Sequence, residues 1–240
     1  MKRGTILSKK IKNLEIKNII FISVLMFLFP IIKSTQMFLS SENLEETLFF
    51  TPYDNWNLVI YEVAVLILVF SYLKFYNFDF SQWNIKINFI SILEGIFLFL
   101  IIAIIFDVYF MTFDYFIDFL HKTEEVTVID SIDLLVSRFD ISLIVISILN
   151  GFFEELFFLG ICLSICKKHV KKVVLFSLLI RYAIHTYQGN MVALGIGLIL
   201  GMYYFIIYNK MNKKNLFPFF LSHALADIFG LGLLGYITQL

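Results

Sequence analysis

The sequence predicts an all-α fold, a polytopic membrane helical bundle of about seven transmembrane helices with a cytoplasmic N-terminus. Three observations carry that expectation. Of 240 residues, 60% are hydrophobic and only 16% charged, with a mean hydropathy of +0.85; soluble domains are closer to half apolar. Seven stretches meet the requirement of roughly 20 mostly apolar residues for a span. Lys and Arg collect on alternate sides of those stretches, as cytoplasmic loops require. With 29 Phe against 11 Gly and 3 Pro, collagen-like, Pro-rich and disordered classes are excluded.

The first span, 18–38, follows a basic tail. No A-x-A-like cleavage site closes it and its apolar run holds Pro30 and Lys33, so it reads as a retained helix, not a signal peptide. Spans two and three are expected at 57–76 and 89–111. The stretch from Thr112 to Asp140 mixes aromatics with Asp114, Asp118, Glu124, Glu125, Asp130 and Asp133, and reads as an extramembrane or interfacial helix. Four more spans are expected at 141–166, 173–188, 191–208 and 216–237. No internal repeat divides the chain, so it reads as one membrane domain: residues 1–140 supply three spans and the acidic external segment, and 141–240 a motif-bearing core. In the sixth span Gly189, Ala193, Gly197 and Gly201 recur every four residues, a stripe that lets a neighbouring helix approach closely.

Orientation follows from the charges. The tail holds Lys2, Arg3, Lys9, Lys10, Lys12 and Lys17; the second loop Lys74 and Lys86; the fourth Lys167, Lys168, Lys171 and Lys172; the sixth Lys210, Lys213 and Lys214. The opposite side holds only Lys33, Lys122 and Arg138, together with Glu42, Glu45, Glu46, Asp54 and the acidic segment. The N-terminus is therefore expected inside and the C-terminus outside. The 19 basic and 19 acidic residues cancel, so net charge indicates no nucleic-acid partner. Cys162 and Cys166, one turn apart in an apolar segment, form no disulfide framework.

A charge near the middle of a span costs roughly 2.5–3.5 kcal/mol on insertion scales, so each one needs a reason. Glu62, Glu94 and Asp107 fall near expected span ends, where they are expected to snorkel to the headgroups. Glu154, Glu155, Arg181, His185, His223 and Asp227 lie well inside spans four, five and seven. At about 1.5 Å per residue, Glu154 and Glu155 sit about 18–20 Å above Lys167 and His185 about 20 Å above Lys172. Counted from Lys214, His223 and Asp227 come at about 14 and 20 Å. Three helices thus bring carboxylates and imidazoles to one depth.

Such a cluster suits activation of water. A partly desolvated carboxylate is a competent general base, and imidazoles serve as acid, base or hydrogen-bond partner near neutral pH. A water between Glu154 and His185 is positioned for attack. His223 and Asp227, four apart on one helix face, are placed to support an oxyanion or a water. Hydrolysis of a carbonyl compound, most simply a peptide bond, fits this set. A metal-assisted variant is the alternative: Glu154, His185 and His223 suffice to hold zinc with an open fourth position, although no H-E-x-x-H is present. A proton- or cation-coupled transporter accounts equally well for carboxylates at this depth.

Written out, the three segments are Glu154-Glu155-Leu-Phe-Phe-Leu159, Arg181-Tyr-Ala-Ile-His185 and His223-Ala-Leu-Ala-Asp227. Over roughly 141–237 the chain resembles the CPBP family of intramembrane endopeptidases, which comprises CaaX-type prenyl-protein proteases and bacteriocin-processing or bacteriocin-immunity proteins. The family pattern is E-E-x-x-x-R, F-x-x-x-H and H-x-x-x-N on successive helices. The resemblance implies Glu154 as general base, His185 sharing its water, His223 and Asp227 as the oxyanion pair, and Glu155 orienting the site. It implies a hydrophobic or membrane-anchored peptide as substrate, the lipid bilayer as its medium, and no cofactor for the glutamate mechanism, with zinc as the alternative. Leu159 stands where the family has Arg, Arg181 where it has Phe, and Asp227 where it has Asn. By depth, Arg181 is expected to pair with Glu155 across helices and so compensate for Leu159. A non-catalytic immunity or scaffold protein is the alternative that the resemblance leaves open. The Ile-, Lys-, Phe- and Asn-rich composition associates the chain with a bacterial cell membrane.

Overall fold

The computed structural model describes residues 10–40, 50–121 and 140–232. Among them are seven helices and no strand: α1 Ile16–Ser40, α2 Pro52–Phe75, α3 Phe89–His121, α4 Ile141–Ile161, α5 Val170–Ile184, α6 Asn190–Lys210 and α7 Phe217–Phe229. Each falls on one of the seven expected stretches, and the all-α helical bundle is borne out. Five of them, α1 to α4 and α6, are long and apolar enough to cross a membrane. The other two are shorter than expected, 15 residues for α5 and 13 for α7. Their ends explain this. His185 already has non-helical torsions after α5, and Gly230, at φ 81°, turns the chain out of α7 where a left-handed residue commonly closes a helix.

Helix starts follow local chemistry. Thr51 accepts from the Asp54 amide while Asp54 accepts from that of Thr51, and Pro52 occupies the first helical position, so α2 begins five residues before its expected span. Asp140 accepts from the amides of Ile141 and Ser142 and from the Ser142 hydroxyl, and caps α4. The Ser142 hydroxyl and the two amides hold the Asp140 carboxyl below the usual carboxylate range. The expected interfacial segment is met only in part: α3 runs on without a break to His121, and the remainder before Asp140 lies outside the described residues.

The packing surrounds α4. Helix α7 lies against α4 and α3, α2 against α4, and α1 against α5, so helices from both halves of the chain share one core. Phe27 of α1 meets Phe157 and Phe158 of α4 at ring separations of 4.9 and 5.4 Å. Gly151 lets α7 approach: a Cβ there would stand 2.6 Å from the Phe220 carbonyl oxygen. The small stripe of α6 works the same way at Gly197 and Gly201, which face Tyr182 and Leu178 of α5. Gly189 belongs instead to the turn before α6, at φ 89°.

The described parts of the four basic segments lie together at one end of the bundle. Leu14 pairs with Ser164, Ile11 with Asn77, Lys86 with Asn215, and Asn84 with Lys214. At the other end Ser34 pairs with Thr186 and Tyr187, and Tyr109 donates to the Met191 carbonyl. The alternation expected from charge is therefore the connectivity of the described helices.

Candidate active site

Five of the six polar residues read as too deep to be incidental form one buried cluster. Glu154 and Glu155 end the regular part of α4, just before a π-helical stretch, Leu156–Ile161. Wide turns of this kind are frequent at functional sites. Consecutive residues of a helix point about 100° apart, so the two carboxylates face different partners.

Glu155 is fully buried and fully bonded. Arg181 of α5 grips it with two parallel bonds, Nη1 to Oε1 and Nη2 to Oε2, both 2.8 Å. His223 Nδ1 of α7 adds a third contact to Oε1 at 2.7 Å. Bidentate charge-assisted pairs are among the strongest hydrogen bonds available to side chains. The guanidinium, 1% exposed, also stacks on Phe158 with its carbon 4.0 Å from the ring centre. The expected pairing of Arg181 with Glu155 is thus present, made from the helix next to the one that carries Leu159. Leu159 itself is buried among apolar side chains.

Glu154 is different. It is 5% exposed, yet its Oε2 has no hydrogen-bond partner. Around it stand His185 Nε2 at 4.0 Å, His223 Nε2 at 3.9 Å and Arg181 Nη1 at 3.8 Å. These gaps are too long for direct hydrogen bonds and suit a shared water, since two groups each about 2.8 Å from one water can stand this far apart. The histidines are oriented from behind. His185 Nδ1 contacts the Arg181 carbonyl at 2.7 Å, and a carbonyl only accepts, so Nδ1 carries a proton and Nε2 of the neutral ring keeps its lone pair. His223 Nδ1 donates to Glu155 in the same manner.

Asp227 lies at the rim, its side chain 30% exposed, 3.6 Å from His223 Nε2. It accepts a 2.9 Å bond from Asn150 Nδ2, one helical turn before Glu154. Asn150 was not singled out from the sequence; its spacing of four residues from Glu154 on one helix face is the signal that marks it. Glu62 is the second residue missed. It is 6% exposed in α2, not at a span end, because α2 starts at Pro52 and places it 10 residues into the helix.

Glu154, His185 and His223 are the residues that would hold a zinc ion. Ligand atoms about 2.0–2.1 Å from a tetrahedral ion stand about 3.3–3.4 Å apart, whereas the Glu154 to histidine separations are 3.9 and 4.0 Å. A guanidinium also stands 3.8 Å from the same carboxylate, where it opposes a dication. Among the described residues no three His, Cys, Asp or Glu side chains are arranged to hold a metal ion. As placed, Glu154 stands farther from both histidines than zinc ligands stand from one another.

The fold and the cluster define a polytopic helical protein with a glutamate, histidine and arginine centre sealed among its helices. Residues 138–229 match the family described as type II CAAX prenyl endopeptidase, Rce1-like, which bears out the resemblance read from the three motifs over that segment. No curated protein and no solved structure matches the chain. Helices α1 to α3 lie outside the matched segment.

Proposed function

We propose that the protein is a CAAX-type intramembrane endopeptidase that hydrolyses a membrane-associated peptide with water activated by Glu154. The observation that carries this reading is the Glu154 carboxylate, buried, with an unpartnered oxygen and two imidazole Nε2 atoms 3.9–4.0 Å away. In this reading Glu154 takes the proton of a water held against His185 Nε2, and the water attacks the scissile carbonyl. The proton then passes to the leaving amine. With Nδ1 of His223 committed to Glu155, Nε2 donates to the oxyanion only when the ring is protonated on both nitrogens, a form that the adjoining carboxylates of Glu155 and Asp227 accompany with opposite charge. Arg181 neutralises Glu155 and thereby keeps the second carboxylate from competing for the water's proton.

The test is cleavage of membrane-associated precursor peptides, including prenylated CaaX peptides and bacteriocin-type leaders, by the purified protein in lipid. Glu154→Gln and His185→Ala are each expected to lower the rate by about 10²–10⁴, with the fold retained and with no effect of a chelator on the wild type. Equal turnover by wild type and Glu154→Gln would refute the glutamate mechanism. Loss on chelation, restored by zinc, would refute its metal-free form. Capture of peptide without cleavage by all three proteins would point instead to a scaffold or immunity role.

A further inference from the structure

The motif-bearing helices do not complete the charge of the site. Glu62 comes from α2, which packs directly against α4. Asn55 of α2 bonds Ser142 of α4 at 3.0 Å and sets the register of the two helices. From that level Glu62 lies about 10 Å and Glu154 about 18 Å along their helices, so Glu62 stands on the outer side of Glu154. Asp227, one turn beyond His223 on α7, lies on that side too. Glu62 is 6% exposed and its Oε2 has no hydrogen-bond partner.

Burying a carboxylate without a partner is costly, and burying it beside others of like charge more so. The guanidinium of Arg181 is already occupied by Glu155. When all four are ionised, Glu62, Glu154, Glu155 and Asp227 outnumber Arg181, His185 and His223 even with both rings protonated, so a cation brought beside Glu62 favours its charged form. The unpartnered Glu62 oxygen therefore lies on the same outer side of Glu154 as Asp227, whose side chain is 30% exposed.

We propose that Glu62 binds a cationic group of the substrate, the side chain of a Lys or Arg residue placed to the outer side of the scissile bond. The proposal rests on the endopeptidase reading for the word substrate, but its binding test does not. Glu62 is a specificity residue here, distinct from the water-activating Glu154.

The probes are hydrophobic Leu/Ala peptides with blocked termini, each carrying one Lys at successive positions, and their norleucine counterparts. Binding is measured to Glu154→Gln protein in lipid nanodiscs, with and without Glu62→Gln. One or two Lys positions are expected to bind at least about tenfold more tightly than norleucine, in the range of a charge-assisted hydrogen bond, and to fall to parity in Glu62→Gln. Glu62→Asp, one methylene shorter, is expected to keep the cation preference and to favour homolysine over Lys, which decides the matter if Glu62→Gln fails to fold. No Lys preference at any position, or a preference that survives Glu62→Gln, overturns the proposal. Cleavage is scored separately with Glu154 intact: a Glu62-dependent preference without cleavage by wild type sinks the endopeptidase reading and leaves the cation site standing.

Discussion

Arg181 and Glu155 depend on each other, because each is an ion in an apolar interior and neither has another permanent counter-charge as close; His223, 2.7 Å from Glu155, is an ion only when both its ring nitrogens are protonated. Replacing Arg181 with Met leaves Glu155 buried with His223 as its remaining partner and without its guanidinium, and losing one member of a buried ion pair costs about 3–5 kcal/mol in protein interiors. Replacing Glu155 as well, with Gln, removes the charge that needed neutralising while keeping an acceptor for His223. Equilibrium unfolding in mixed micelles should therefore show Arg181→Met strongly destabilised and Arg181→Met/Glu155→Gln recovering most of the loss. Additive effects of the two changes would mean that the pair is not coupled. The pairing was legible from residue counting alone, since both positions lie at one depth on neighbouring spans. Glu62 was not, for a physical reason. Hydropathy averaging trims a span at its polar first turn, and the turn of α2 holds Tyr53, Asp54, Asn55 and Trp56. The trimmed boundary moved Glu62 to a span end, although the Thr51, Pro52 and Asp54 cap states where the helix begins.

At the scale of the element, α4 carries the site and its start is fixed by one carboxylate. Asp140 caps it with bonds from two amides and a hydroxyl. The folded carboxyl lies below its ordinary value of 3.8. A depressed folded value means that the cap stabilises the helix start at every pH above the ordinary one, and that this contribution is lost as pH falls through the lower folded value. Protection of the Ile141 to Ile144 amides from hydrogen exchange, taken relative to the intrinsic rate at each pH, should accordingly be present at neutral pH and fall at strongly acid pH. Asp140→Ala should show low protection at both, without the acid-dependent change. An acid response of equal size in Asp140→Ala would assign it to another group. The lengths of α5 and α7 were less legible than their positions. Apolar composition continues past both ends, so a hydropathy window runs on, and only the backbone shows the turns at His185 and Gly230.

At the scale of the whole molecule, orientation is the property on which substrate access depends, and the two cysteines make it measurable. The tail from Lys10, the 77–86 turn, the Ser164 to Lys167 turn and the segment around Lys214 are bonded to one another at a single end of the bundle. By the excess of lysine there, that end is expected to face the cytoplasm. Cys166 is exposed there, while Cys162, one turn deeper, is buried. A membrane-impermeant maleimide should leave intact cells unlabelled, should label inside-out vesicles at one site, and should lose that site in Cys166→Ser but not in Cys162→Ser. The same label reports the integrity of the core, because Cys162 becomes reactive only when α4 separates from its neighbours. Labelling of Cys166 from outside intact cells would invert the molecule. The cation site at Glu62, which lies on the far side of Glu154 from Cys166, would then open toward the cytoplasmic half of the bilayer, and a Lys or Arg of the substrate would have to approach from there.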